Sequence, residues 1–213
     1  MNICLKNISK RFGERNIFKN YNLLINDREM VALTGKSGAG KSTLLNIIGL
    51  LESVDNGDVL FDNAIVKSNS KQSMLLLRYK LGYLYQNYAL VDNEDVNYNL
   101  AISQRFCKED RSRKDSMKKE ALRTVGLNGD IINEKIFNLS GGEQQRVALA
   151  RLILKPCEII LADEPTGSLD KTNAKIVFDV LRKLNNQGKI IIIATHDDGV
   201  KAICNRIINI ADN

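Results

Sequence analysis

Residues 30–51 read MVALTGKSGAGKSTLLNIIGLL. An apolar run with the look of a buried strand passes into a glycine-rich stretch, and that into a Leu- and Ile-rich run of helical character. Gly35–Thr43, GKSGAGKST, fits the pattern G-x-x-x-x-G-K-[ST] in the strand-before, helix-after setting that gives the pattern meaning. Gly35, Gly38 and Gly40, with Ser37 and Ala39 between them, let the backbone curl so that several N–H groups face one chain of phosphates. Lys41 then reaches the outer phosphates and Ser42 offers its hydroxyl to Mg²⁺.

Outward from this loop, short apolar runs rich in Ile, Val and Leu lie at 2–8, 22–26, 58–61, 81–85, 158–162, 189–194 and 206–210. Several lack clean alternation, as strands buried on both faces should. Helical patterns fall near 41–51, 95–104, 112–126, 143–155, 171–186 and 197–203. This alternation predicts an α/β fold with a mostly parallel central sheet. The stretch 87–156 contains no convincing strand and reads as a helical subdomain inserted into a core formed by 1–86 and 157–213, the whole being one domain.

Two other strand ends carry chemistry. EIILADEP, residues 158–165, is an apolar strand closing on Asp163 and Glu164. Beside a phosphate loop, Asp163 suits the coordination shell of Mg²⁺ and Glu164 suits a base that orients and deprotonates water. IIIIATHDD ends a further strand at His196, the single histidine of the chain. Strand ends around such a loop converge on the bound nucleotide, so an imidazole there is placed to contact the terminal phosphate.

The 213 residues carry a net charge of +6, with 26% charged and 44% hydrophobic residues, an ordinary balance for a globular protein. Cys4, Cys107, Cys157 and Cys204 are widely spaced and form no zinc pattern, which points to reduced thiols. MNICLKNISKRFG shows no apolar signal core, and the apolar runs fall short of the roughly 20 residues of a membrane span. A second anion-ready feature stands at 138–154, NLSGGEQQRVALARLIL: a serine and two glycines opening a helix, whose free N–H groups and positive end favour an anion. It contains no lysine.

These residues together resemble the nucleotide-binding subunit of ABC transporters over essentially the whole chain. Gly35–Thr43 looks like the Walker A motif and Gln86, in YLYQN, like the Q-loop glutamine. LSGGEQQR, from Leu139, looks like the signature motif, and residues 160–164 like Walker B. Ser168–Asp170 looks like the D-loop and His196 like the switch histidine. The resemblance implies a P-loop NTPase core with N-terminal antiparallel strands and a cytoplasmic ATPase attached peripherally to the inner face of the membrane. Two copies form a head-to-tail homodimer in which Ser140, Gly141, Gly142 and Glu143 of one complete the ATP site of the other. This explains the missing lysine, since the partner supplies it. The resemblance also implies adenine stacking on Phe12, catalytic roles for Glu164, His196, Lys41 and Gln86, Mg²⁺ held near Ser42, Gln86 and Asp163, and a tie across the dimer through Asp170.

Five of the six tyrosines lie in 79–98, which marks YQNYALVDNEDVNYNL, from Tyr85, as part of a groove for a membrane permease subunit near Gln86–Asn99. Tyr88 and Tyr98 are its expected contacts, while Tyr83 and Tyr85 read equally as strand core. The basic run 105–123 is a solvated helix face, or a patch attracted to anionic headgroups. ADEPTGSLD resembles the lipoprotein-releasing and macrolide-export subgroup. The Tyr85–Leu100 wording resembles ATPases of small-bacteriocin export, although Tyr98 stands where Glu often precedes Asn99. The end at Asn213, without the regulatory domain of sugar-importer ATPases, points away from that kind of importer. Export of a peptide, lipid or drug is the leading expectation. A mechanical or antimicrobial-peptide-sensing coupler and a soluble nucleic-acid ATPase are the others, with nucleic acid not expected as a partner.

Overall fold

A computed structural model describes residues 1–167 and 169–210. Ser168, part of the D-loop reading, lies outside the described residues.

Two sheets form the core. The first is antiparallel, in the order β2 (Arg15–Ile25), β1 (Ile3–Phe12), β4 (Asn56–Phe61), β5 (Ala64–Ile65). The second has the order β6 (Leu81–Leu84), β7 (Ile159–Asp163), β8 (Ile190–Ala194), β3 (Met30–Thr34), β9 (Arg206–Asn209), and every pair in it is parallel. The expected mostly parallel sheet and N-terminal antiparallel strands are therefore both present.

The unbroken apolar runs have a simple physical cause, because a strand covered on both faces needs apolar residues at every position. Ile159 and Leu161 of β7, with Ile190, Ile192 and Ala194 of β8, enter one buried cluster together with α1 (Lys41–Ile48) and the antiparallel sheet. Their neighbours Ile160, Ala162, Ile191 and Ile193 enter another, with α3 (Val96–Ser103), α4 (Arg111–Thr124), α5 (Gly141–Leu154) and α6 (Lys171–Asn186). The period-2 alternation of a strand thus divides one sequence run between two cores. The helices of 87–156 share the second cluster with the sheet, through Leu100, Leu122, Val147 and Leu149. Their position is set by the same apolar surface that buries β7 and β8.

An α-helix and a short strand are among the elements that escaped the sequence reading. The helix α2 (Lys71–Tyr79) is capped by Ser70, whose side chain accepts the Ser73 N–H, but Met74 and Leu75 on it remain about half exposed. A helix that buries little apolar surface leaves little periodicity to find. The strand β5 has only two residues. The last helix, α7 (Asp198–Ile203), starts at Asp197, which accepts the Gly199 N–H.

Candidate functional site

The loop Gly35–Gly40 leaves the end of β3 and enters α1. Its three glycines have φ of 148°, 80° and 98° at Gly35, Gly38 and Gly40, a region that residues with a Cβ rarely occupy. Lys41 Nζ donates to the carbonyls of Gly35 (3.0 Å) and Lys36 (3.2 Å), so the ammonium lies over its own loop.

A cavity of about 410 Å³ beside α1 is bounded by Glu52, Asp55 and Asp58, away from this loop. The cavity that matters for the motifs is another, of about 400 Å³, lined by Phe12, Arg15, Ile17, Ser37, Gly38, Gly40, Lys41, Ser42, Thr43, Gln86, Asp163 and Glu164. Residues far apart in sequence meet there because β3, β6 and β7 are parallel and end on the same edge. Phe12, about half exposed, stands at the end of the first strand with the Lys10 ammonium 5.0 Å from its ring centroid. Arg15, which the sequence reading overlooked, donates from Nη2 to the Gly38 carbonyl at 2.7 Å.

Burial pushes the Asp163 carboxyl above its ordinary value, and the adjacent Glu164 adds to this. The Ser42 hydroxyl and Lys41 pull the other way. A carboxyl held high in the native chain is less stable ionised when folded than when unfolded, at every pH above its native value. Asp163→Asn, which keeps an acceptor for Ser42, is therefore expected to melt higher than the parent chain at pH 7. That advantage should shrink as pH falls through the carboxylate range near ~4. Melting curves at the two pH values check this, and a lower melting temperature at pH 7 contradicts it.

Glu164 has φ 43°, an unusual backbone state for a residue with a side chain. Its N–H donates to the Ala194 carbonyl of β8 at 2.9 Å, and its Oε1 lies 2.8 Å from His196 Nδ1. The carboxylate is largely buried while the imidazole is 76% exposed. The histidine thus reaches inward over Glu164 from the next strand. Its loop is pinned by Asp197, whose N–H donates to Thr195 Oγ1 at 3.0 Å and whose Oδ2 accepts from Thr166 Oγ1 at 2.8 Å. Strand motifs gave no sign of Thr166.

Ser140, Gly141, Gly142 and Glu143 line none of this pocket. They form the start of α5. Glu143 accepts the Ser140 N–H at 2.9 Å while its own N–H donates to Ser140 Oγ at 3.4 Å, a reciprocal cap. The hydrogen bond from Ser140 Oγ lowers the Glu143 carboxyl from its ordinary value. Gln144 donates to the carbonyls of Ile136 and Leu139, fixing the preceding turn. Gln145, fully buried, donates to the Pro165 carbonyl at 2.8 Å and joins α5 to the turn after Glu164.

The two glycines differ. A Cβ on Gly142 would lie 2.8 Å from Asn173 Nδ2, so a side chain there displaces the Asn173 amide; on Gly141 it would meet only Tyr88 Oη, at 3.7 Å.

A further groove of about 400 Å³ is lined by Leu51, Leu77, Arg78, Tyr83, Tyr85, Ala89, Ile102, Ser103, Phe106, Arg151, Leu152 and Lys155. From Tyr85–Leu100, where the sequence reading placed much of a docking surface, Tyr85 and Ala89 contribute, and the ends of α2, α3 and α5 supply half of the wall. Tyr83 and Tyr85 stack at 5.2 Å between centroids. Burial raises the ordinary titration range of both phenols. Tyr83 is thus a core residue as well as a wall of the groove. Tyr98 is half exposed on α3 outside it.

A glycine loop between a parallel strand and a helix, facing an Asp–Glu strand end and a histidine from the strand between, defines a P-loop nucleotide-binding protein with an ATPase's set of groups. The chain belongs to the ABC transporter family, whose profile matches residues 18–167. It is similar to the macrolide export ATP-binding/permease protein MacB of Campylobacter jejuni, with 39% identity over 99% of this chain and 33% of that protein. With the MacB protein of Pasteurella multocida the identity is 38%, over 99% of this chain and 33% of the relative. The chain thus spans about a third of the length of the curated relatives it matches. Among solved structures it is similar to the ATP-binding cassette MJ0796, described as a dimer in a post-hydrolysis state bound to ADP and Pi. The TM-score is 0.90 and the identity 35%, covering 99% of this chain and 94% of the other. The cbiO1 protein of Clostridium perfringens, part of an ABC transporter complex, gives a TM-score of 0.84 at 25% identity, over 97% and 83%. Among the described residues no helix is long and apolar enough to cross a membrane.

Proposed function

We propose that this chain binds and hydrolyses ATP as the cassette of an ABC exporter, two copies closing head to tail around the nucleotide and driving a membrane permease that moves a peptide, lipid or drug. The observation that carries the reading is the division of the site: a pocket with Lys41, Ser42, Gln86, Asp163 and Glu164 on one edge of the sheet, and a capped, glycine-opened helix start that takes no part in it. A dimer in which each helix start faces the other copy's pocket brings the halves together. MJ0796, 35% identical, is described as a dimeric ATP-binding cassette in a post-hydrolysis state bound to ADP and Pi, which supports a dimer.

In this reading Phe12 stacks on the adenine, and the N–H groups of Ser37–Thr43 cradle the phosphates with Lys41. Glu164 orients the attacking water and takes its proton, His196 is held by Glu164 at the terminal phosphate, and Ser140, Gly141 and Gly142 of the other copy close on that phosphate. Asp170 joins the contact between copies. The Ser42 hydroxyl, the Asp163 carboxylate and the Gln86 amide are oxygen donors suited to Mg²⁺, which would neutralise phosphate charge. No cluster of three or more His, Cys, Asp or Glu that could hold a metal exists among the described residues. Ligation by two or three protein oxygens plus the substrate's phosphates matches the habit of that ion.

The groove between α2, α3 and α5 receives a cytoplasmic helix of the permease. It combines exposed Ile102 and Phe106 with Tyr85, Arg78 and Lys155, and it lies next to Gln86, so seating a helix there acts on the ATP pocket. Phe106→Glu is expected to keep ATP turnover of the isolated chain within about twofold and to lose recovery with the membrane fraction, as a charge in an interface core costs several kcal/mol. Co-purification from cells carrying the permease decides it; recovery equal to the parent chain removes the groove from the docking surface.

A further inference from the structure

Asn173 belongs to none of the motifs, yet it touches both elements that face away from the chain's own pocket. It lies in the first turn of α6. Its Nδ2 donates to Asp170 Oδ2 at 2.6 Å, and its Oδ1 accepts from Arg146 Nη1 of the signature helix. Asp170 Oδ1 is held by the N–H groups of Thr172 (2.8 Å) and Asn173 (2.9 Å). Both oxygens of the aspartate are therefore committed, and the Asn173 hydrogen bonds, with the Arg146 charge among the lesser causes, hold its carboxyl below the ordinary value.

The amide is suited to the place. It must accept from a cation on one side and donate to an anion on the other, and a carboxamide does both, through separate atoms. Among the described residues Arg146 makes no other side-chain hydrogen bond, and its buried Nε has no partner. The third contact is steric. Asn173 Nδ2 occupies the space that a Gly142 side chain would need, at 2.8 Å from the Cβ position. One side chain on the first turn of α6 is thus bonded to α5 through Arg146 and packed over Gly142.

We propose that Asn173 is a positioning residue that locks Asp170 to the signature helix, so that the two surfaces offered to the opposite copy present themselves as one rigid unit. This rests on the head-to-tail dimer of the proposed function. A lock of this kind leaves the chain's own nucleotide pocket untouched, because neither Asn173 nor Arg146 lines it. Its effect falls on the step in which two copies close.

The test uses the full chain in the Glu164→Gln background, where ATP is expected to hold the dimer. Three quantities are measured: affinity of the dilute monomer for a fluorescent ATP analogue, melting temperature, and the ATP-dependent dimer constant from sedimentation. Asn173→Ala is expected to leave monomer nucleotide affinity within about twofold and to weaken the dimer about tenfold or more, the usual scale for losing a hydrogen bond to a charged group. Asn173→Asp keeps the shape and the acceptor for Arg146 but sets a second carboxylate against Asp170, and should weaken the dimer at least as much. It also serves if the alanine variant fails to fold. A merely structural residue would lower the melting temperature and spare the dimer constant of the folded fraction. If both folded variants dimerise as tightly as Glu164→Gln alone, the lock is disproved. If Glu164→Gln itself stays monomeric with ATP, the dimer reading falls first and this inference with it.

Discussion

Glu164→Gln is expected to bind ATP as the parent chain does, to lose turnover by about 10²–10⁴-fold, and to elute with ATP as a dimer on gel filtration. The carboxylate has a fixed position: its backbone is tied to Ala194 of β8 and its Oε1 sits 2.8 Å from His196 Nδ1. A glutamine is nearly isosteric and can still bond to the imidazole, so the loop geometry survives. What disappears is the acceptor for the water's proton and the negative charge at the phosphate end of the pocket. Binding rests on Lys41, Ser42 and the loop N–H groups, which the substitution does not touch. Loss of chemistry without loss of binding leaves the closed dimer with no way to open. A Glu164→Gln chain that hydrolyses ATP at the parent rate would falsify the base assignment.

The second large effect comes from mixing two inactive variants. Ser140→Phe places a ring where the helix start must approach the other copy's phosphate, and Lys41→Ala removes the ammonium that holds it. Each alone should lose more than about 10²-fold in turnover, the scale of removing one preorganised charge-stabilising group. In a mixed dimer, the pocket of the Ser140→Phe copy meets the intact helix start of the Lys41→Ala copy, and one complete site returns. The other site lacks both parts. The expected result is activity in the mixture, with one site per mixed dimer and none in the separate samples. Two working sites, or equal full-rate turnover per copy by each variant alone, would mean that each chain completes its own site. Ser140→Phe also removes the acceptor for the Glu143 N–H, a cap worth about 1 kcal/mol, so its melting temperature must be followed alongside.

Much of the candidate site was legible because its signals are local. The phosphate loop needs positive φ at Gly35, Gly38 and Gly40, and glycine supplies it without help from elsewhere. Asp163, Glu164 and His196 were marked by their place at the ends of apolar strands. Asn173, Gln145, Arg15 and Thr166 carry no such mark. Their partners Arg146, Pro165, Gly38 and Asp197 are brought to them by packing, and an asparagine or glutamine in a helix is ordinary in composition. The groove beside Tyr85 was hidden for the same reason. Tyrosine density marks its neighbourhood, but Leu77, Ile102, Phe106 and Leu152, which share the wall with Tyr83 and Tyr85, are brought together only by the folded chain.

The amino-acid sequence by itself determined the conformation of the phosphate loop, the two-sided burial of β7 and β8 and the cap of α5, since each depends on residues within a few positions of one another. The tertiary structure decided which of these features share a pocket. Placing β8 between β7 and β3 sets His196 against Glu164, and packing α5 on the far core holds Ser140 and Gly142 away from the loop they resemble in chemistry. Strand order and helix placement follow from how the whole apolar surface is buried, a sum over the chain that no short motif contains.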